Sequence, residues 1–196
     1  MRLGRGLAVL TLAALLSACA QQPSTPVEWR QQAEAIGRQQ QWELEGKIGL
    51  RAPDKAGSAF LGWKQDGGHY RLLLSGALGL GRLALDGDAK GVSWVRDGRR
   101  GRHEDPEALV GEVWGWRVPI AALQFWVRGI PDPALPVESQ GFEQGVLTRF
   151  RQSGWTIEPS AHRSVGDLLL PHRVRLEGGA GASLTIAVSR WTLPPP

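Results

Sequence analysis

The residue with the most distinctive chemistry is Cys19, the only cysteine among 196 residues. It follows Leu16-Ser17-Ala18 directly, which is the pattern of a lipobox, where a diacylglycerol is attached to the cysteine thiol. Two arginines and an apolar run of about ten residues precede it, the order of a secretory signal, and such a run is too short to span a bilayer of ~30 Å. We therefore predict a lipoprotein signal peptide at residues 1–18 and an acylated Cys19. The alternative is an ordinary free thiol, buried or reactive.

The predicted anchor determines where the rest of the chain works. One acyl chain binds a membrane reversibly, whereas two or three hold a protein there almost permanently. The cysteine is followed by Ala20-Gln21-Gln22 rather than by aspartate, which is typical of lipoproteins exported to the outer membrane. We predict a lipid-anchored outer-membrane protein that faces the periplasm, with a lipidated tether at residues 19–26 and a single domain at 27–196. The covalent acyl anchor is the only prosthetic group we expect.

Other chemistry finds little support in the sequence. The four histidines are scattered singly, with no metal-binding pair of the His-Glu-x-x-His type and no second cysteine. Residues 79–84 have the glycine spacing of a dinucleotide-binding loop, but they run into a strand pattern instead of a helix. No Gly-x-Ser-x-Gly nucleophile motif occurs. We predict no metal site and no enzymatic activity; a lipid-anchored hydrolase, the alternative, would need a convergent polar cluster for which we find no candidate.

The charge balance argues against nucleic acid as a partner. The chain has 23 Lys and Arg against 19 Asp and Glu, and the signal peptide would remove Arg2 and Arg5. The basic run at residues 99–102 is typical of a solvated hairpin, because no aromatic residues are interleaved with it. The unusual number is nine tryptophans against one tyrosine and four phenylalanines. Large apolar rings in that quantity suit either a thick core or an apolar cavity, and composition does not separate the two.

The periodicity of apolar residues predicts a mainly β domain. Thr25-Pro26-Val27-Glu28 has the form of a capping box, and apolar residues at helical spacing predict a helix to about Gln40. From Trp42 the period switches to two, which predicts ten or eleven antiparallel strands. They are expected at 42–51, 58–65, 70–75, 82–86 and 92–96, just after residue 98, and at 145–152, 155–158, 172–177 and 183–191. Two short amphipathic helices, near 105–115 and 119–129, interrupt them and must cover an open face of the sheet.

The loop at residues 76–81 is unusual because it contains only glycine, alanine and leucine. Turns are normally polar, so Leu78 and Leu80 form an apolar tip. We interpret this tip as a membrane insertion loop, since full burial of one leucine contributes ~1.5 to 3 kcal/mol. The alternative is a tip that folds back onto the core.

Several of these segments together resemble the LolB family of outer-membrane lipoprotein receptors. The resemblance rests on the lipobox, on Phe-x-x-Trp-Lys-Gln at 60–65, on Tyr-Arg-Leu-Leu-Leu at 70–74 and on the Leu78-Gly79 loop. Its most specific part is Gly-Trp-Arg-Val-Pro at 115–119 with Leu-x-x-Trp-Val-x-Gly-Ile-Pro at 123–131. The resemblance implies an incomplete, half-open antiparallel β-barrel of about 11 strands that encloses a hydrophobic cavity and is covered by short helices.

The resemblance also implies a function without catalysis. Proteins of this family take triacylated lipoproteins from the periplasmic carrier LolA and place them in the inner leaflet of the outer membrane, without an energy source. The expected partners are LolA, lipoprotein acyl chains and outer-membrane lipid, and we expect a monomer. Leu78 matches the family's membrane-inserting leucine, although Gly76-Ala77 stands where relatives often have a proline before the leucine. An outer-membrane scaffold or assembly subunit remains the alternative.

Tryptophans at family-like positions are the candidates for the wall of the cavity. Trp63 and Trp126 are the first choice, and plain core packing is the alternative for the others. The remaining candidates are Trp29, Trp155 and Trp191.

Overall fold

The structure, a computed structural model, describes residues 25–53, 56–76, 81–114 and 118–194. Its largest element is one antiparallel sheet of eleven strands. The strands of its first half are β1 Gln41–Arg51, β2 Ala56–Asp66, β3 His69–Ser75, β4 Arg82–Asp88, β5 Gly91–Arg96 and β6 Arg99–His103. The strands of the second half are β7 Val137–Glu143, β8 Val146–Gln152, β9 Trp155–Ser160, β12 Arg173–Glu177 and β13 Ser183–Thr192. A separate two-stranded hairpin contains β10 Arg163–Val165 and β11 Leu168–Leu170.

The strand order explains why the sheet stays open. Its order is β6-β5-β4-β3-β2-β1-β13-β12-β9-β8-β7, so the first strand of the domain meets the last one in the middle. The two edge strands, β6 and β7, do not pair with each other in the part of the chain that the structure describes. The prediction of an incomplete antiparallel barrel of about 11 strands is therefore confirmed.

Alternation along each strand places one face of the sheet on the core. In β1 the buried residues Trp42, Leu44, Ile48 and Leu50 alternate with exposed or half-buried ones. The same period of two continues through β2, β3 and β4, and the register keeps inner residues opposite inner residues. The sheet thus has an apolar inner face and a charged outer face.

Three helices are packed against the inner face and its margin: α1 Val27–Arg38, α2 Pro106–Trp114 and α3 Ile120–Trp126. Asp105 caps α2, since its Oδ1 accepts hydrogen bonds from the backbone N–H groups of Glu107 and Ala108 at 2.9 and 3.0 Å. Leu109 and Val110 of α2 and most of α3 are buried in the same core as the inner face of the sheet. The predicted pair of covering helices is confirmed.

The predicted capping box at the start of α1 is wrong. The N-cap residue is Pro26, and α1 has no side-chain cap. The hydroxyl of Thr25 instead lies 3.2 Å from Oε1 of Gln140, on β7 at the far edge of the sheet. Thr25 thus helps to fix the N-terminal end of α1 to the sheet, a contact across 115 residues that local sequence does not reveal.

Three strands were not predicted. β7 lies at an edge and has no buried residue, so its sequence lacks the alternation that marks a strand. β10 and β11 have three residues each, too few for any period to show. Gln32 of α1 binds this small hairpin, accepting from the N–H of Leu169 at 3.1 Å and donating to the carbonyl of Asp167 at 3.3 Å.

Candidate functional site

An apolar space, here called the inner space, lies between the inner face of the sheet and the helices α2 and α3. All of its lining residues are apolar, and its volume is only ≈ 20 Å³, about the room that one water molecule needs. The strands contribute Ile48, Leu61, Trp63, Leu72, Leu74, Leu85 and Ile186. The helices and the segment between them contribute Val110, Val118, Ile120 and Leu123. Such a lining offers dispersion contacts and no hydrogen bonds, which suits a hydrocarbon chain.

A second, larger cavity of ≈ 430 Å³ lies where the β2–β3 and β4–β5 turns face the first residues of α2 and α3. We call it the mouth, because it shares Trp63 and Ile120 with the inner space. Its inner wall is formed largely by aromatic and aliphatic side chains. Four carboxylates line it as well, those of Asp88, Glu104, Asp105 and Glu107. The two cavities adjoin at Trp63 and Ile120, and they differ in lining, since the mouth has carboxylates and the inner space is wholly apolar.

Trp63 forms the boundary between the two cavities. Its side chain is 3% exposed, and its Nε1 donates to Oε1 of the equally buried Gln65 at 2.9 Å. The amide of Gln65 in turn donates to the carbonyl of Gly67 at 2.8 Å, in the turn before β3. This chain of hydrogen bonds fixes the indole plane, because the N–H cannot leave Gln65 without losing its partner in a buried site. The fixed side chain lines both cavities.

Tyr70 is a second notable residue in the wall of the mouth. Its hydroxyl is buried and has no hydrogen-bond partner. Burial, with the nearby carboxylates of Asp88 and Asp86, raises the pKa of Tyr70 to about 12, so the phenol stays neutral. The Tyr70 side chain packs closely against Gly87. A Cβ at Gly87 would lie 2.8 Å from the Tyr70 oxygen, so only glycine fits opposite the ring.

The other candidate tryptophans lie elsewhere in the core. Trp126 is fully buried and donates to Oε1 of Gln152 at 2.7 Å, with its ring 6.1 Å from that of Trp155. Trp191 donates to the carbonyl of Pro171 at 2.9 Å, and Trp29 packs edge-on against His162. None of these four is among the residues that line the inner space or the mouth. A cavity-lining role for them remains a prediction.

The aromatic rings nevertheless connect the candidates in two groups. Trp42, which we did not select from the sequence, lies between Trp63 at 5.2 Å and Trp191 at 5.6 Å. The guanidinium of buried Arg128 lies 5.5 Å from the ring of Trp42 and donates to the carbonyls of Ile36 and Gln39 at the end of α1. Burial lowers the pKa of Arg128 to about 10, which still leaves it charged at neutral pH. Arg128 therefore fixes the end of α3 to α1 and to the first tryptophan group.

Sequence reasoning missed several residues of the site. Gln65 could have been predicted from the sequence. It occupies an inward-facing position of an alternating strand, which marks it as a buried polar residue. Tyr70, Val110 and Ile120 were read only as strand or helix residues. Three predicted residues, Cys19, Leu78 and Leu80, lie outside the described residues, so their roles remain predictions.

Two further features of the site follow from the described residues alone. Residues 25–53, 56–76, 81–114 and 118–194 contain no group of three or more His, Cys, Asp or Glu side chains that could hold a metal ion. Over the same ranges, no helix combines the length and the apolar content that crossing a membrane requires.

The fold first defines the class of protein. A LolA superfamily protein from Nitrosomonas europaea shares the architecture, with a TM-score of 0.54 over 88% of this chain and 96% of that chain at 9% sequence identity. The open antiparallel sheet with short helices over its inner face is therefore the fold that this chain shares with that LolA superfamily protein.

The sequence comparison then gives the family. The model of the outer membrane lipoprotein LolB family matches residues 40–191. The outer-membrane lipoprotein LolB of Chromohalobacter salexigens is 36% identical over 190 residues, covering 94% of this chain and 88% of that protein. The LolB of Pseudomonas aeruginosa is 36% identical over 200 residues and covers 97% of both chains. This chain belongs to the outer-membrane lipoprotein LolB family.

Proposed function

We propose that this protein is an outer-membrane receptor that accepts triacylated lipoproteins from a LolA-type carrier in the periplasm. It places them in the inner leaflet of the outer membrane, with no catalytic step and no nucleotide. Membership of the LolB family supports the lipoprotein-localisation role, and the all-apolar inner space behind the mouth is the observation that carries it. Each methylene of an acyl chain costs ~0.8 kcal/mol in water, so a handover needs a continuous apolar route.

Cargo binding requires the helices to move. At ≈ 20 Å³ the inner space cannot hold an acyl chain, so part of its wall must withdraw. The end of α3 is fixed by the hydrogen bond of Trp126 to Gln152 and by Arg128, which also donates to Gln124 of the same helix. α2 is packed on the core through Leu109 and Val110. We infer that α2 moves away from the sheet while the end of α3 stays in place, which widens the inner space toward the mouth.

The direct test is a transfer assay without nucleotide. The mature chain is mixed with a complex of the carrier and a tagged triacylated lipoprotein, and each protein is recovered separately to see which one holds the cargo. We expect the cargo to move to this protein. A non-acylated form of the same lipoprotein is the control, and it should not be retained. If a correctly folded sample takes no cargo, the receptor function is wrong and a scaffold role gains support.

A variant of Ile120 tests whether the inner space is the binding site. Ile120 lines both cavities, so Ile120→Gln would place an amide without a partner on the acyl route. We expect affinity for a fluorescent acyl probe to fall at least about tenfold, since ~1.4 kcal/mol suffices for that loss. Val27→Gln is the matched control, because Val27 is an exposed residue of α1. Equal affinities in the two variants would place the probe elsewhere.

Insertion is tested separately at Leu78. Leu78→Glu should leave cargo receipt intact and block release into vesicles, because a carboxylate opposes burial in lipid. Leu78→Phe keeps an apolar tip and should release cargo normally. Normal insertion by Leu78→Glu would contradict the insertion loop without affecting the receptor proposal.

A further inference from the structure

The outer face of the first half of the sheet has a surface that the proposed function does not use. Register places Lys47, Phe60, Ser75 and Arg82 side by side in one row across β1 to β4. The next row contains Gly62, Leu73, Ala84, Val95 and Arg100 across β2 to β6. We call the set Lys47, Phe60, Arg82, Val95 and Arg100 the outer basic face. Neighbouring strands lie about 4.8 Å apart, so the surface extends roughly 24 Å from β1 to β6.

Its apolar residues are unusually exposed. Phe60 is 60% exposed and Val95 51%, two of the four large hydrophobic side chains that the described residues leave exposed. Half-buried Leu73 and Ala84 lie on the two strands between those of Phe60 and Val95. With Gly62 they help to line a shallow groove of ≈ 380 Å³. The Nζ of Lys47 lies 5.3 Å from the centre of the Phe60 ring, so a cation accompanies the aromatic side chain. An aromatic ring beside an ammonium group suits the boundary between lipid and water.

The charge of this surface is positive. Lys47, Arg82 and Arg100 have no ion-pair partner in the described part of the chain. Three carboxylates line the same groove, and each is already in an ion pair: Glu43 binds Lys64, Glu45 binds Arg190, and Asp86 binds His69 and Arg71. Asp97, at the adjacent hairpin, lies 3.7 Å from Arg96. The three cations therefore remain available to an external anion.

The surface also has a defined position in the fold. Ser75 and Arg82 are the last residue of β3 and the first of β4, so their row borders the connection that carries Leu78 and Leu80 in the sequence. The mouth lies at the opposite end of these strands, where β2 ends and β3 begins. The first half of the sheet thus presents exposed cations at one end and the carboxylates of the mouth at the other.

We propose that the outer basic face docks on the surface of an anionic phospholipid bilayer. The cations would contact lipid phosphates, and Phe60 and Val95 would enter the headgroup region. Each Lys or Arg near an anionic surface changes occupancy about fivefold, the equivalent of ~1 kcal/mol. This inference goes beyond the receptor function, because it assigns a preference for the charge of the membrane lipid that holds with or without cargo.

The test uses the mature lipidated chain anchored in vesicles. Because Cys19 is the only cysteine and its thiol is predicted to be acylated, a Val95→Cys variant can be labelled at one position with an environment-sensitive fluorophore. We expect a blue shift and a several-fold rise in emission when about one third of the phosphatidylcholine is replaced by phosphatidylglycerol, and a reversal at high salt. A label at Thr192→Cys, on an exposed residue at the mouth end of β13, should respond to neither.

Charge variants give the decisive comparison. Lys47→Gln, Arg82→Gln and Arg100→Gln combined should abolish the response to phosphatidylglycerol. A matched control neutralises three exposed cations elsewhere, Lys90, Arg163 and Arg173, and should keep it. Equal responses on neutral and anionic vesicles, equal loss in both triple variants, or a response only to an acidic protein would overturn the proposal. A normal vesicle response together with failed cargo transfer would contradict the receptor function but still support the docking of the outer basic face on anionic lipid.

Discussion

Two buried tryptophans in this protein make the same hydrogen bond in very different surroundings. Trp63 donates to Gln65 at 2.9 Å and Trp126 donates to Gln152 at 2.7 Å, and all four side chains are buried. Gln152 has every hydrogen-bonding group occupied: its oxygen also accepts from the N–H of Asp132, and its amide donates to the carbonyls of Asp132 and Leu135. Gln65 has one further partner, the carbonyl of Gly67.

The difference separates a structural region from a working one. The Trp126–Gln152 pair joins α3, β8 and the loop after α3 into a network in which every polar group of Gln152 has a partner. The Trp63–Gln65 pair holds one ring rigid at the border of two cavities. The same interaction therefore fixes the fold in one place and shapes the wall of two cavities in the other. Substitutions at Gln152, Trp63 and Trp126 test this contrast, and two others test features nearby.

The largest effect is expected from Gln152→Leu. It would leave the N–H groups of Trp126 and Asp132 and two backbone carbonyls without partners in the core, at ~1 to 3 kcal/mol for each group that stays unsatisfied. We expect the free energy of unfolding to fall by about 3–5 kcal/mol, measured by chemical denaturation, with affinity for an acyl probe per folded molecule unchanged. Gln41→Leu, at an exposed position, should stay within about 0.5 kcal/mol. An equally small loss for Gln152→Leu would refute the network's role.

A matched pair of conservative variants compares the two tryptophans directly. Trp63→Phe and Trp126→Phe each remove one indole N–H and a similar volume, so each should cost roughly 2–3 kcal/mol of stability. Only Trp63→Phe should also change the affinity for an acyl probe, measured by fluorescence titration, because only Trp63 lines the two cavities. A change of the same size in Trp126→Phe would show that the cavity extends to the second pair.

A smaller effect, of opposite sign, is expected at Tyr70. Its buried hydroxyl has no partner, so Tyr70→Phe removes an unsatisfied group and should raise the free energy of unfolding by up to about 1 kcal/mol. A loss of stability would mean that the hydroxyl has a partner after all. The acyl probe serves as a second measurement, and we expect its affinity to remain the same.

The smallest effect is a pH dependence of the free energy of unfolding. It concerns a residue that belongs to neither tryptophan–glutamine pair. Burial, and the neighbouring His172, lower the pKa of His162, which packs against Trp29 of α1. The unfolded chain then binds more protons than the folded one, so stability is full above the ordinary histidine pKa near 6.5 and falls as the pH drops below it. His162→Gln should flatten this slope in denaturation curves measured between pH 7 and 5. An unchanged slope would assign the pH dependence to another group.

The sequence predicted those parts of the molecule in which local pattern and tertiary structure agree. Strands β1 to β4 alternate cleanly, and Asp105 and Pro119 mark the starts of α2 and α3, so these elements were placed within a few residues. The partners of the buried polar groups were not predictable. Trp126 and Gln152 are 26 residues apart, and Arg128 reaches the carbonyl of Ile36 across 92 residues. No local pattern encodes such contacts, so the sequence could not predict that Trp126 is hydrogen-bonded to Gln152, and its cavity-lining role remains a prediction.

The pairing of β1 with β13 has a consequence for how the protein is made. Gln41–Arg51 is completed on one side by Ser183–Thr192, at the other end of the chain. Synthesis and export both proceed from the N-terminus, so the two halves of the sheet cannot join until nearly the whole polypeptide is available. We therefore expect the complete sheet to form only once β13 is available, which favours export of the chain in an unfolded state. Loss of the last fourteen residues, which include all of β13, would leave β1 as an exposed edge and make the truncated chain prone to aggregation.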